Sequence, residues 1–187
     1  MIIIRWSILS ENQQKIDDWM GAFAVMVGPE VESCCAQYEA DHDDYSAIML
    51  KVLADRLAEA FAEKLHSEIR KNIWGYEPHE SLTNDELIKG KYIGIRPALG
   101  YPACPDHTEK QKLFELLDVE KNIGLKLTEN FAMHPVSAVS GWYFSHPKST
   151  YFSTGKIKHD QIESISKIKN WDKQKIEKWL ATILEYK

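Results

Sequence analysis

The chain has 187 residues, 44% hydrophobic and 27% charged, with a formal net charge of -5 at pH 7. That length suits one domain with a sizeable core. The acidic balance argues against a nucleic-acid partner, because phosphate binding needs a basic surface, and no apolar run approaches the ~20 residues that cross a bilayer.

The opening "MIIIRW" lacks a following apolar region and a small-residue cleavage site, so no signal peptide is expected. Three cysteines, Cys34, Cys35 and Cys104, make an odd set without zinc spacing. Reduced thiols and a cytoplasmic setting follow as expectations. The first twenty residues, with their polar "SENQQK", show no sustained period.

From Asp41 the pattern sharpens. Ile48, Met49, Val52, Leu53, Leu57, Phe61, Leu65 and Ile69 recur at steps of three and four, which predicts a long amphipathic helix over about 43–73. Aspartates crowd its start, Arg70 and Lys71 lie in its last turns and Gly75 follows, as the helix dipole and a C-terminal stop favour. The "DHDD" before it reads as a helix cap ahead of a metal site. Asp55, Glu59 and Glu63 share one face at i, i+4 spacing. That face is either solvated and offset by Lys51, Arg56 or Lys64, or it meets a partner.

Thr83 with Glu86 forms a capping-box pattern for a short helix ending near Gly90. Thr108 with Gln111 gives a similar start for "EKQKLFELL", and Asp118 restarts a turn that Gly124 ends. "LKLTENFAM", "SAVSGWYFSH" and "TYFSTGKI" read as strands, with half of the "GWYF" aromatics in the core. Two amphipathic helices, "HDQIESISKIKN" and "DKQKIEKWLATILEY", close the chain. Helices at both ends with strands between them indicate an α+β fold.

The segment with the most chemistry is "GIRPALGYPACPDHTEK", residues 94–110. Pro97, Pro102 and Pro105 stiffen it, while Gly94 and Gly100 allow a turn or a close approach. Arg96 offers a planar fork for a carboxylate and Tyr101 a flat ring with a hydroxyl. A small anionic metabolite carrying a nucleoside would suit this corner. A plain surface ion pair on Arg96 within a shaped turn is the competing reading.

These motifs resemble a known family. "RPALGYPACPDHTEK", "FELLDVEKNIGLKLTENFAM" and "VSGWYFSHP" are similar to the activation domain of cobalamin-dependent methionine synthase. So are "GAFAV", the "HDDY" helix and "WGY" upstream of them, over about residues 19–179. The resemblance implies a bent antiparallel sheet flanked by helices, in a single domain spanning 1–187 with residues 1–16 unassigned. It implies S-adenosylmethionine as ligand, bound to serve reductive remethylation of cob(II)alamin in methionine biosynthesis. The cobalamin would be carried by a partner domain of the methyltransferase, with flavodoxin or a flavodoxin-like reductase supplying the electron. By the same resemblance Arg96 holds the ligand's carboxylate, and Ala98, Gly100 and Tyr101 line the adenosine. Tyr151 and Phe152 supply ring contacts, and Glu59 lies near the methyl donor. Asp55 is implied to contact the cobalamin-carrying domain. The family's homocysteine, folate and cobalamin modules have no counterpart here, and the resemblance begins partway into the activation domain. A docking module that no longer binds the methyl donor, or a fragment of a larger chain, is the alternative.

Overall fold

The structure, a computed structural model, describes residues 2–9 and 15–186, with side chains described from residue 19. The "SENQQK" stretch falls largely on residues 10–14, outside the described residues. Around it lie two strands that the opening sequence did not announce. β1 (Ile2–Leu9) pairs antiparallel with β2 (Lys15–Met26).

Helix α1 (Glu30–Ala40) leads into α2 (Asp44–Glu68), the long predicted helix. Asp43 caps α2, its carboxylate accepting from the Ser46 N–H at 3.0 Å. A π-helical turn, Ile69–Ile73, ends it ahead of Gly75. α3 (Asn84–Ile88) carries the full capping box of Thr83 and Glu86. α4 (Glu109–Leu117) and α5 (Val119–Ile123) are divided by Asp118 in the left-handed region, and Gly124 ends α5. Thr108 does not cap α4 with its side chain. Its hydroxyl instead donates to Asp106 at 2.6 Å, and the same carboxylate takes its N–H.

The strand-rich reading of residues 125–157 holds only in its middle. β3 (Lys126–Leu127) and β4 (Met133–His134) form a small antiparallel pair, and β5 (Ala138–Phe144) joins the main sheet. "TYFSTGKI" forms no strand: it makes one isolated bridge, at Ile157, and one further backbone bond, from the Thr154 N–H to the Pro102 carbonyl at 3.2 Å. α6 (His159–Lys169) and α7 (Lys173–Trp179) close the chain as expected, followed by a 3-10 turn, Ala181–Ile183.

The main sheet runs β1-β2-β5, all antiparallel. Alternation along β2 supplies both faces. Ala22 joins Leu99, Leu113, Phe114, Val119 and Leu125 on the side of α4 and α5. Phe23 and Val25 join Tyr143, Ile69 and Ala62 on the side of α2. A separate small core of Ile157, Ile162, Ile176 and Leu180 holds the last two helices together. Lys169 ties them to the rest through Asp106 at 2.6 Å.

The orientation of α2 overturns the face expected from its periodicity. Ala47, Ala54, Ala58 and Ala62 are buried, whereas Ile48, Met49, Val52, Leu53, Leu57 and Phe61 are exposed. The physical reason lies on the sheet. Phe23 and Tyr143 are stacked at 4.5 Å and fully buried, and bulky rings on one layer leave room only for small side chains on the next.

Candidate functional site

The segment 95–98 follows β5 as an irregular edge strand. Ile95 and Phe144 exchange backbone hydrogen bonds at 2.9 and 3.0 Å, and the Trp142 N–H donates to the Pro97 carbonyl at 3.1 Å. Glycine at 141 makes this possible, since a Cβ there would lie 2.5 Å from the Pro97 oxygen. The proline-rich corner is therefore clamped to the sheet before any ligand arrives.

A cavity of about 750 Å³ opens between this corner, the start of β5, α2 and residues 151–153. Arg96, Ala98, Tyr101, Tyr151, Phe152 and Glu59 all line it, so six of the seven sequence-predicted ligand residues are brought together. Tyr151 is joined to Arg96 directly: its hydroxyl accepts the Arg96 backbone N–H at 3.0 Å. The rings of Tyr101, Tyr151 and Phe152 stay more than half exposed, and thus form the mouth. Gly100 is not among the lining residues. Its φ of +98° and the packed imidazole of His107 account for it, because any Cβ would collide with that ring.

The Arg96 guanidinium already has a carboxylate. Glu63 lies 2.7 Å from it, Tyr92 accepts from it at 3.2 Å, and His66 Nδ1 stands 3.5 Å away. The ion pair foreseen as the competing reading for Arg96 is thus present, and the same guanidinium lines the cavity. His66 is fully buried, and burial, with the charges of Arg70 and Arg96 nearby, holds its pKa at about 2. It is therefore the neutral imidazole. Since arginine only donates, Nδ1 accepts and Nε2 carries the proton, facing the Tyr76 hydroxyl at 3.4 Å. Below this group Arg70 is buried against Glu80, with Nη2 at 2.9 Å, and stacks over the Tyr92 ring at 4.3 Å.

The acidic face of α2 is partnered across the helix. Asp55 accepts from the Ser137 hydroxyl at 2.7 Å and Glu63 holds Arg96. The lysines expected to offset them look elsewhere, Lys51 to Glu39 and Lys64 to Glu68. Asp55 lines a second, adjacent hollow of about 480 Å³, shared with Glu59, Arg56 and Val136.

Lys110 and its neighbour His107, neither of them a sequence-predicted ligand residue, also line the main cavity. Lys110 is 7% exposed yet lines the cavity. Its ammonium donates to His107 Nδ1 and to the Phe131 carbonyl, each at 3.1 Å, and no carboxylate pairs with it among the described residues. Burial lowers its pKa, and burial with the Lys110 charge lowers that of His107. The sequence carries only a faint trace of this, a lysine in the first turn of α4 that opposes the helix dipole, and nothing in it points to a cavity.

The sequence pattern of the family described as vitamin B12 dependent methionine synthase, activation domain, matches residues 7–170. The chain belongs to that family. A solved structure, the MetH reactivation domain bound to AdoHcy, is 56% identical and superposes with a TM-score of 0.90 over 91% of this chain. Only 53% of that solved chain is covered, so this activation-domain sequence spans about half of its length. The α+β fold with antiparallel sheets is common to both. Among the described residues no helix is long and apolar enough to cross a membrane, and no cluster of three or more His, Cys, Asp or Glu is placed to hold a metal.

Proposed function

We propose that this activation domain binds S-adenosylmethionine in the 750 Å³ cavity and presents its methyl group for reductive remethylation of cob(II)alamin in methionine synthase. The observation that carries the reading is the convergence of Arg96, Glu59, Tyr101, Tyr151 and Phe152 on one cavity, in a chain 56% identical to a domain solved with AdoHcy.

The chemistry of the walls suits such a ligand. S-adenosylmethionine joins a carboxylate, an ammonium, a sulfonium and an adenosine. Arg96 can share its fork between Glu63 and an incoming carboxylate. The faces of Tyr151 and Phe152 can hold the sulfonium, with Glu59 as a nearby counter-charge. Phe152 gives stacking surface without a hydroxyl. At the inner end, Lys110 has a third N–H beyond its two bonds, which suits a ligand nitrogen or oxygen acceptor. Cobalamin would supply the methyl-accepting chemistry from a partner domain, so the transfer would ask no general base of this cavity. Asp55, exposed beside Ser137, would meet that partner, and a flavodoxin-like protein would deliver the electron.

Calorimetry tests the ligand assignment. S-adenosylhomocysteine should give saturable heat with the native protein, and Arg96→Ala should weaken binding at least tenfold. Equal affinities in the two proteins would remove Arg96 from the site. A silent native protein with a measurable cobalamin-domain complex would favour a docking role instead.

A further inference from the structure

Two arginines lie near the buried imidazole of His66, and each has its own carboxylate. Arg70 is fully buried and paired with Glu80, which is buried as well. Arg96 stands at the cavity wall, with Glu63 2.7 Å from its Nη2. Tyr92 and His66 engage its Nη1 but bring no negative charge, so Glu63 is the one carboxylate paired with Arg96 among the described residues. Of the five guanidinium donors, Nε–H and one Nη2–H are left without a protein partner.

Glu63 is placed differently from the other acid on its face of α2. Glu59, one turn earlier, lines the cavity, whereas Glu63 does not. Its carboxylate therefore meets the guanidinium from outside the cavity and leaves the ligand's approach open. Its second oxygen, Oε1, is buried and takes no hydrogen bond. A buried acceptor left unpaired costs stability, so packing alone would not select this pose.

We propose that Glu63 is a positioning residue for the ligand's carboxylate, acting through Arg96. It holds the guanidinium against the cavity wall so that Nε–H and one Nη2–H are free to receive an α-amino-acid carboxylate. Both guanidiniums lie close enough to His66 to depress its pKa. Without the Glu63 charge they share only Glu80, and like charges repel. Arg96 then leaves the wall for solvent. The backbone of the corner stays in place, because the Tyr151 hydroxyl holds the Arg96 N–H and the Trp142 N–H holds the Pro97 carbonyl. Tyr101, Phe152 and Lys110 line the cavity with no hydrogen bond or ion pair to Glu63. The loss should therefore fall on the amino-acid end of the ligand alone. A carboxylate that competed with the ligand would stand inside the cavity, where Glu63 does not.

The inference rests on the methyl-donor reading, and its test separates the two. Calorimetry compares S-adenosylhomocysteine with 5′-methylthioadenosine, which keeps the nucleoside and the thioether but lacks the carboxylate. The isosteric Glu63→Gln should weaken S-adenosylhomocysteine about tenfold and leave methylthioadenosine within about twofold. In an Arg96→Ala background the same substitution should change neither affinity, and this cycle stands even where methylthioadenosine binds too weakly to measure. Should Glu63→Gln not fold, Glu63→Asp carries the test, since it draws the charge back by one methylene and should split the two ligands in the same way. Equal losses on both ligands assign Glu63 to the local structure and overturn the proposal, as does a loss that persists without Arg96. Tighter S-adenosylhomocysteine binding by Glu63→Gln makes Glu63 a competitor and overturns it too. If the native protein and Glu63→Gln bind S-adenosylhomocysteine equally, this inference alone falls. A native protein that gives no heat removes the ligand reading, and this inference with it.

Discussion

Helix α2 and the 95–104 corner respond differently to the same kind of reasoning. In the corner, each signal is local: a proline fixes its own φ, a glycine permits its own contact, and the corner forms where those residues stand. In the helix, periodicity establishes the helix but not the side that turns inward. The stripe of leucines looked like the buried face, yet the alanine row lies against Phe23 and Tyr143. Hydrophobicity names candidates for burial; the shape of the opposing layer selects among them.

The most forceful way to break that contrast is to enlarge the alanine row. Ala62→Leu inserts three carbons against the buried Phe23, Val25 and Tyr143. It should cost about 1–3 kcal/mol, the range for overpacking a filled core. Leu57→Ala, on the exposed face, should cost about 0.5 kcal/mol or less in the free chain. Urea unfolding of both variants decides the matter. A larger loss from Leu57→Ala would return the helix to the orientation its periodicity suggested.

A somewhat smaller effect probes the polar layer between the two regions. His66 links α2 to Arg96, and its folded pKa is depressed from 6.5 to about 2. A group depressed on folding contributes its full stability above its unfolded pKa and loses it as pH falls below that value. The loss should begin near pH 6.5 and reach about 2 kcal/mol at pH 5. His107 titrates in the same direction but is less buried, whereas the depressed carboxylates of Asp43, Glu68 and Glu86 act at lower pH. Stability measured from pH 7 to 5 should therefore fall less steeply in His66→Gln than in the native protein. Parallel curves would mean that His66 already carries a proton.

Much of the fold was legible because its determinants are short-range. The capping box at Thr83 and Glu86, the Asp43 cap, the break at Asp118 and the two closing helices all rest on neighbours in sequence. The misreadings share the opposite character. Residues 150–157 have strand-like composition but find no partner strand, because the edge of β5 is taken by 95–98. Thr108 has a capping sequence, but Asp106 takes its hydroxyl and holds Lys169 across 63 residues. Among the residues that line the cavity, Arg96, Tyr151 and Phe152 were singled out from motif and resemblance. Lys110 was not, since only the fold reveals that its ammonium lies in the cavity without a carboxylate.

That lysine supplies the finest test of how the corner differs from an ordinary packed surface. A buried ammonium bonded to one imidazole and one carbonyl costs stability, and methionine fills nearly the same volume without that charge. If Lys110 serves the cavity, Lys110→Met should leave Tm unchanged or raised while weakening S-adenosylhomocysteine about tenfold, the worth of one charge-assisted hydrogen bond. If it serves only the local fold, by tying His107 and Phe131 together, the signs reverse: Tm falls and affinity holds. Lys110→Arg should rescue neither property, because a planar fork cannot reproduce the three-way geometry of the ammonium in so closed a position. Thermal melts and calorimetry on one preparation separate the two roles, since they demand opposite responses from the same substitution.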